Sequence, residues 1–129
     1  MKQTLAAIFI MFSINAFSCQ TMTYDPWVHF VMTEPELIAD TGTMLWHNDG
    51  GRIYGVHYVK AGELKNNTLY DCYGKKVVER KGDSIIDHRG VTVFKISGSK
   101  VYDSRGILVA EVRGSKVYNA NGTLYGSMK

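Results

Sequence analysis

Hydrophobic and polar residues alternate along most of this chain in short runs, and the runs recur every sixteen residues. Laid out from Gly50, the period repeats five times without insertion: Gly50 to Lys65, Asn66 to Lys81, Gly82 to Ser97, Gly98 to Arg113 and Gly114 to Lys129. The pentapeptide GSKVY, at Gly98 to Tyr102 and again at Gly114 to Tyr118, is its best preserved part. A fixed period of this kind marks a repeat architecture and has to be recognised before any single element is assigned.

Each unit opens on a pair suited to a two-residue hairpin turn: Gly50-Gly51, Asn66-Asn67, Gly82-Asp83, Gly98-Ser99, Gly114-Ser115. Such turns require positive φ, which Gly and Asn adopt at least cost. The fourth residue of each unit is aliphatic (Ile53, Leu69, Ile85, Val101, Val117), and the fifth is Tyr54, Tyr70, Ile86, Tyr102 or Tyr118. In four units Asp71, Asp87, Asp103 and Asn119 stand three residues before Gly74, Gly90, Gly106 and Gly122, the signature of a second, type I turn with a bulge. The first unit reads Gly55-Val56-His57-Tyr58 there, so its loop is expected to be built differently.

A two-residue turn fixes which residues face each other across a hairpin. It places Val112 opposite Val117, Arg113 opposite Lys116, Glu111 opposite Tyr118, Ile96 opposite Val101 and Leu64 opposite Leu69. One face is aliphatic and the other is polar with tyrosines, as in a half-buried antiparallel sheet. Arg80 opposite Ile85 breaks the pattern. Frequent Gly with β-branched residues and Tyr between argues against helix. The chain is therefore read as all-β: five 16-residue hairpins that bury one another's apolar faces in a closed or pseudo-fivefold antiparallel array. Closure is favoured because an open meander exposes two sheet edges.

The pattern resembles the secreted bacterial hairpin-repeat proteins called five-fold β-flower proteins, and the resemblance covers residues 50–129 through the turn and aliphatic positions just quoted. It implies hairpin petals around a pseudo-fivefold axis. It carries no activity and no site residues over to this chain.

The segment before the repeats divides in two. Lys2, the apolar run Leu5 to Phe17 of about thirteen residues, and the small residues Ala16 and Ser18 read as a signal peptide over residues 1–18, the run being short of the roughly 20 that a spanning helix needs. Residues 19–49 then form an N-terminal capping segment with a strand expected over Tyr24 to Met32, and 34–49 reads as a worn sixth unit, since Leu37 and Gly42 fall at the repeat's aliphatic and glycine positions. Trp27 and Trp46 are expected to cover apolar surface at one end. Cys19, directly after Ser18, partly matches a lipidation site, while Cys72 is the one other cysteine. Lipidation of Cys19, a disulfide to Cys72 and free thiols all remain open.

Charge adds an asymmetry to the net +3: residues 19–49 hold five acids and no Lys or Arg, and residues 50–129 hold fourteen bases and seven acids. Lys65, Lys81, Arg113 and Lys129 share the sixteenth position of their units and would form a basic ring. Together with Lys116 and the tyrosines Tyr54, Tyr70, Tyr102 and Tyr118, they make a candidate binding face for a protein or an anionic envelope component. Export and the modest charge argue against nucleic acid, and a membrane enters only through a lipid on Cys19. His29, His47, His57 and His88 show no metal-ligand spacing. With no nucleophile elbow and no phosphate loop, no catalytic residue, metal or cofactor is assigned, and the chain is read as a non-catalytic exported interaction module, periplasmic or secreted. The alternatives are an envelope structural or lipid-anchored protein, an inhibitor or immunity-type protein and, last, a small hydrolase using His47, His57 or His88.

Overall fold

The structure is a computed structural model and describes residues 19–22 and 25–129. The signal-peptide segment 1–18 lies outside the described residues, as does Tyr24 at the start of the expected strand.

The chain is all-β around one closed barrel. Among the described residues, a helical turn, α1 (Val28–Val31), is followed by twelve strands: β1 (Glu36–Ile38), β2 (Met44–Asp49), β3 (Arg52–Tyr54), β4 (Lys60–Lys65), β5 (Thr68–Asp71), β6 (Lys76–Lys81), β7 (Ser84–Asp87), β8 (Thr92–Ser97), β9 (Lys100–Asp103), β10 (Leu108–Arg113), β11 (Lys116–Asn119) and β12 (Leu124–Met128). Every strand pairs antiparallel with its neighbours in sequence, and β1 pairs with β12 to close the ring. Closure leaves no strand edge open to another chain.

Each 16-residue unit contributes two strands, and the cross-strand pairs fall where the turns put them: Leu64 with Leu69, Ile96 with Val101, Val112 with Val117, Glu111 with Tyr118 and Arg113 with Lys116. Asn66 and Asn67 both have positive φ (50° and 64°), whereas in the last three units only the leading Gly does, so the same hairpin is turned in two ways. Asp87 shows how the second turn is held. Its Oδ1 accepts hydrogen bonds from the Arg89 and Val91 amides at 2.9 and 3.0 Å, and its backbone oxygen accepts from Gly90 N at 3.0 Å. Asp103 repeats the arrangement with Arg105 and Ile107. The first unit lacks this Asp; its loop is a 3-10 turn over Val56–Tyr58, with positive φ at His57 and Tyr58.

Residues 34–49 complete the ring as a sixth hairpin. Leu37 takes the aliphatic place, and Asn48 N donates to the Pro35 carbonyl at 2.7 Å, as Arg80 N does to Asn67 O and Val112 N to Ser99 O. The ring is therefore sixfold in its hairpins, five regular units and one worn, rather than built on the five alone. Leu37, Ile53, Leu69, Ile85, Val101 and Val117 form a fully buried inner layer, each at most 1% exposed. Burying such a side chain is worth about 2 kcal/mol, so this layer is the main reason the hairpins hold together.

Arg80 does stand opposite Ile85 on the inward-facing side. Its guanidinium escapes burial by turning over the hairpin end: Nε donates to the Gly82 carbonyl at 2.9 Å, and the group lies 4.0 Å from Asp83. A long side chain at the rim of a barrel can keep its charge wet in this way.

Residues 19–22 and 25–33 form a strap instead of the expected strand. The strap starts at the end of the barrel that carries the second turns, hereafter the mouth. There Cys19 is disulfide-bonded to Cys72, 53 residues away, and Gln20 Nε2 donates to the Val56 carbonyl at 2.6 Å. The strap then packs Met22, Trp27, Val28 and His29 into the core and reaches Met128 Sδ at the Thr33 amide. The β-branched Val28-His29-Phe30-Val31 run reads as strand in isolation, but the closed ring offers it no edge, so its backbone satisfies itself in a helical turn with Val28 N on Asp25 O.

Candidate binding surfaces

Two surfaces emerge, one outside the barrel and one at its mouth. On the outer wall the fifth-position tyrosines Tyr54, Tyr70, Tyr102 and Tyr118 are half-buried. Each stands opposite a polar residue of the preceding hairpin: His47, Glu63, Lys95 and Glu111 respectively. Such cross-strand pairs steady the sheet as well as presenting aromatic surface.

The sixteenth-position cations sit at the opposite end from the mouth, and the structure does not make them a continuous basic ring. Asp49 takes that position in the sixth hairpin and Ser97 in the third unit. Lys65 lies 3.7 Å from Glu63, and Arg113 donates to Glu111 Oε1 at 3.1 Å. Lys81 and Lys129 are exposed, and the Lys129 backbone is bonded both ways to Glu36. The residues that come together do so in two places. Arg113 lies over the Tyr118 ring, 5.0 Å from its centroid, with Lys116 directly across the strand from it. Tyr70, Lys60, Glu63 and Lys65 line a hollow of about 260 Å³ beside Cys72.

The histidines are dispersed over different surroundings. His29 is buried against the edge of Trp46 at 4.8 Å, and neither ring nitrogen has a hydrogen-bond partner. Burial alone lowers its pKa from 6.5 to about 3, so it sits in the core as a neutral imidazole. His47 meets Glu36, across its hairpin, at 3.4 Å, and the Tyr58 hydroxyl donates to the same carboxylate oxygen at 3.4 Å. The acid that reaches His47 is thus Glu36, directly across the hairpin. His88 belongs to the mouth. Among the described residues no three His, Cys, Asp or Glu side chains converge as metal ligands.

The mouth holds a cavity of about 1050 Å³ that no sequence pattern had singled out. Its apolar lining is Val77, Val78, Val93 and Phe94 from the second and third units, with Pro26 of the strap. The cavity exists because the strap fills the interior unevenly. At the thirteenth position, which faces inward, the hairpins carry Trp46, Gly62, Val78, Phe94, Ala110 and Gly126. Gly62 is where the strap comes close: a Cβ there would lie 2.5 Å from Met22 Cε and would collide with the Tyr70 carbonyl. Among the described residues, the strap's aromatic contacts are with the fifth unit and the sixth hairpin, where Trp27 packs on Tyr125 at 5.6 Å, the Tyr125 hydroxyl donates to Asp25 at 3.0 Å and His29 meets Trp46. Among the described strap residues, Pro26 lines the cavity beside the wall of the second and third units. The uneven sizes at this one repeat position were the signal available in the sequence.

The rim of the cavity is exposed and charged, with Lys75, Lys76, His88 and Arg89 alongside Asp71 and Asp87. The two acids are engaged in their turns. Asp71 Oδ1 accepts from the Tyr73 and Lys75 amides, each at 2.9 Å, and Asp87 Oδ2 accepts from the Arg89 guanidinium at 2.8 and 3.1 Å. The Arg89 side chain and the Val91 and Arg89 amides hold the Asp87 carboxyl down to about 2. Compared with family models, curated proteins and solved structures, the chain matches none of them.

Proposed function

We propose that this protein is a non-catalytic exported module of the bacterial envelope that binds a protein or an anionic envelope component through its outer wall. The observation that carries the reading is the group formed by Arg113, Tyr118, Lys116 and Glu111. Aromatic and guanidinium groups prearranged on a rigid, edgeless barrel lose little entropy on association, and Tyr and Arg are the residue types that dominate binding hot spots. An envelope inhibitor or immunity-type protein falls within this reading. On it, the chain is also a hairpin-flower protein of the β-flower kind, with a sixth petal recruited from its N-terminal segment.

The Cys19–Cys72 disulfide supports an oxidising compartment and the unlipidated form of Cys19, since a thioether-linked lipid would occupy the same sulfur. The dispersal of His47 and His88 over different surfaces weighs against a hydrolase built on the histidines.

The test is stoichiometric capture from native envelope extract, compared with a variant carrying Tyr102→Ala, Tyr118→Ala, Arg113→Ala and Lys116→Ala together. The reading expects one partner with the parent protein and loss of that partner with the variant, which keeps the parent's folded circular dichroism spectrum at the temperature of the assay. Equal capture by both removes the outer wall from consideration.

A further inference from the structure

The mouth cavity stands apart from the outer wall and has a chemistry of its own. Its floor is aliphatic and aromatic, with Val78 buried and Val77, Val93 and Phe94 half-buried, while the basic residues around it, Lys75, Lys76, His88 and Arg89, are exposed. At about 1050 Å³ it lies just above the roughly 300–1,000 Å³ range of small-molecule sites. Apolar surface continues outward from it: Tyr73, Val91 and Ile107, on the mouth turns of the second, third and fourth units, are 62%, 50% and 54% exposed. They add apolar surface to the end of the barrel that holds the cavity.

The rim favours an anion. Asp87 spends both oxygens on turn amides and on Arg89, Asp71 Oδ1 accepts from two turn amides, and Glu79 pairs with Lys76 at 2.5 Å. The Lys75 ammonium is left with no carboxylate partner among the described residues, and Arg89 keeps an exposed guanidinium at the cavity edge. The closed ring offers no unpaired strand edge there, so an extended peptide would find no backbone partners along the floor.

We propose that the mouth binds a single-chain anionic amphiphile of the long-chain carboxylate class. The chain lies along Val77, Val78, Val93 and Phe94, and the carboxylate meets Lys75 and Arg89, with Lys76 beside them. Burial of methylene groups supplies the affinity at about 0.8 kcal/mol each, and the cations fix the direction of entry.

The experiment titrates the oxidised protein with cis-parinaric acid, a fluorescent long-chain carboxylate, and competes the signal with palmitate, hexadecanol and octanoate. A one-to-one saturable enhancement is expected. Palmitate displaces it, whereas octanoate and hexadecanol do so at least about tenfold less well, because one lacks chain and the other lacks charge. Lys75→Glu, alone and with Arg89→Glu, weakens binding by about tenfold or more while the melting temperature holds. Absence of saturable binding, equal competition by hexadecanol, or undiminished binding by Lys75→Glu overturns the proposal. The outer-wall variant of the preceding section binds the probe like the parent protein, so failure of one idea leaves the other standing.

Discussion

Leu37 stands opposite Met128, and this pair joins the first strand of the chain to the last. Both side chains are buried, and next to them Glu36 and Lys129 exchange backbone hydrogen bonds of 3.0 and 2.9 Å. Without that seam β1 and β12 would be free edges of a curled sheet. With it, the least regular hairpin closes the ring that the five regular ones begin.

The seam should be costly to weaken. Leu37→Ala removes a fully buried side chain from the inner layer and should lower stability by about 2–5 kcal/mol in urea unfolding, with the m-value retained. A change below about 1 kcal/mol would mean that the inner layer does not carry the ring.

The strap should depend on its disulfide. The Cys19–Cys72 bond closes a loop of 53 residues, so removing it as Cys19→Ser with Cys72→Ser should cost about 4 kcal/mol if unfolded-chain entropy dominates. Trp27, 1% exposed, reports on the strap directly. Its emission should shift to the red at lower denaturant in the double variant than in the parent, and coincident transitions would count against this role for the bond.

Acid should loosen the same segment through His29. Its pKa is lowered by burial from 6.5 to about 3, so folding favours the neutral ring. The associated stability is complete above pH 6.5 and is lost as the pH falls from there towards 3, at up to about 1.4 kcal/mol per pH unit. His29→Leu should flatten the decline between pH 6 and 4, measured by urea midpoints. Asp87 and Asp103, whose pKa values are also lowered, add a loss of the same sign only below the ordinary carboxylate range. An unchanged slope in His29→Leu would show that the histidine is not the sensor.

Arg80 should be replaceable. Leu64, Ile96 and Val112 occupy the same repeat position in other units. Arg80→Leu should therefore leave stability unchanged or raise it by about 1 kcal/mol, read from the thermal midpoint. A loss of several kcal/mol would mean that the contacts with Gly82 and Asp83 do more than let the charge out.

The register was legible in the sequence because turns and alternation act locally. Gly114-Ser115 decides that Val112 meets Val117, and no distant contact changes that. The departures lie where long-range packing outweighs local preference. Val28 to Val31 would pair as a strand if an edge were free, and the closed ring leaves none. The outer-wall residues Arg113, Lys116 and Tyr118 could be read as neighbours from the repeat. The partial neutralisation of the cations by Glu63 and Glu111 needed side-chain positions. The mouth cavity was hidden for a different reason: it depends on which inner walls the described strap residues pack against, and a periodic sequence says nothing about a guest that breaks the period. Only the contrast of Gly62 and Gly126 with Val78 and Phe94 records it.

The most direct measurement of the account is amide hydrogen exchange at Glu36 and Lys129, taken with contacts between the Leu37 and Met128 backbones by nuclear magnetic resonance. A closed ring of six hairpins predicts that both amides exchange as slowly as those of Ile96 and Val112 in the middle of the array, and that the Leu37–Met128 contacts are present. Rapid exchange at the two seam amides with the repeat amides still protected would show an open sheet and contradict it.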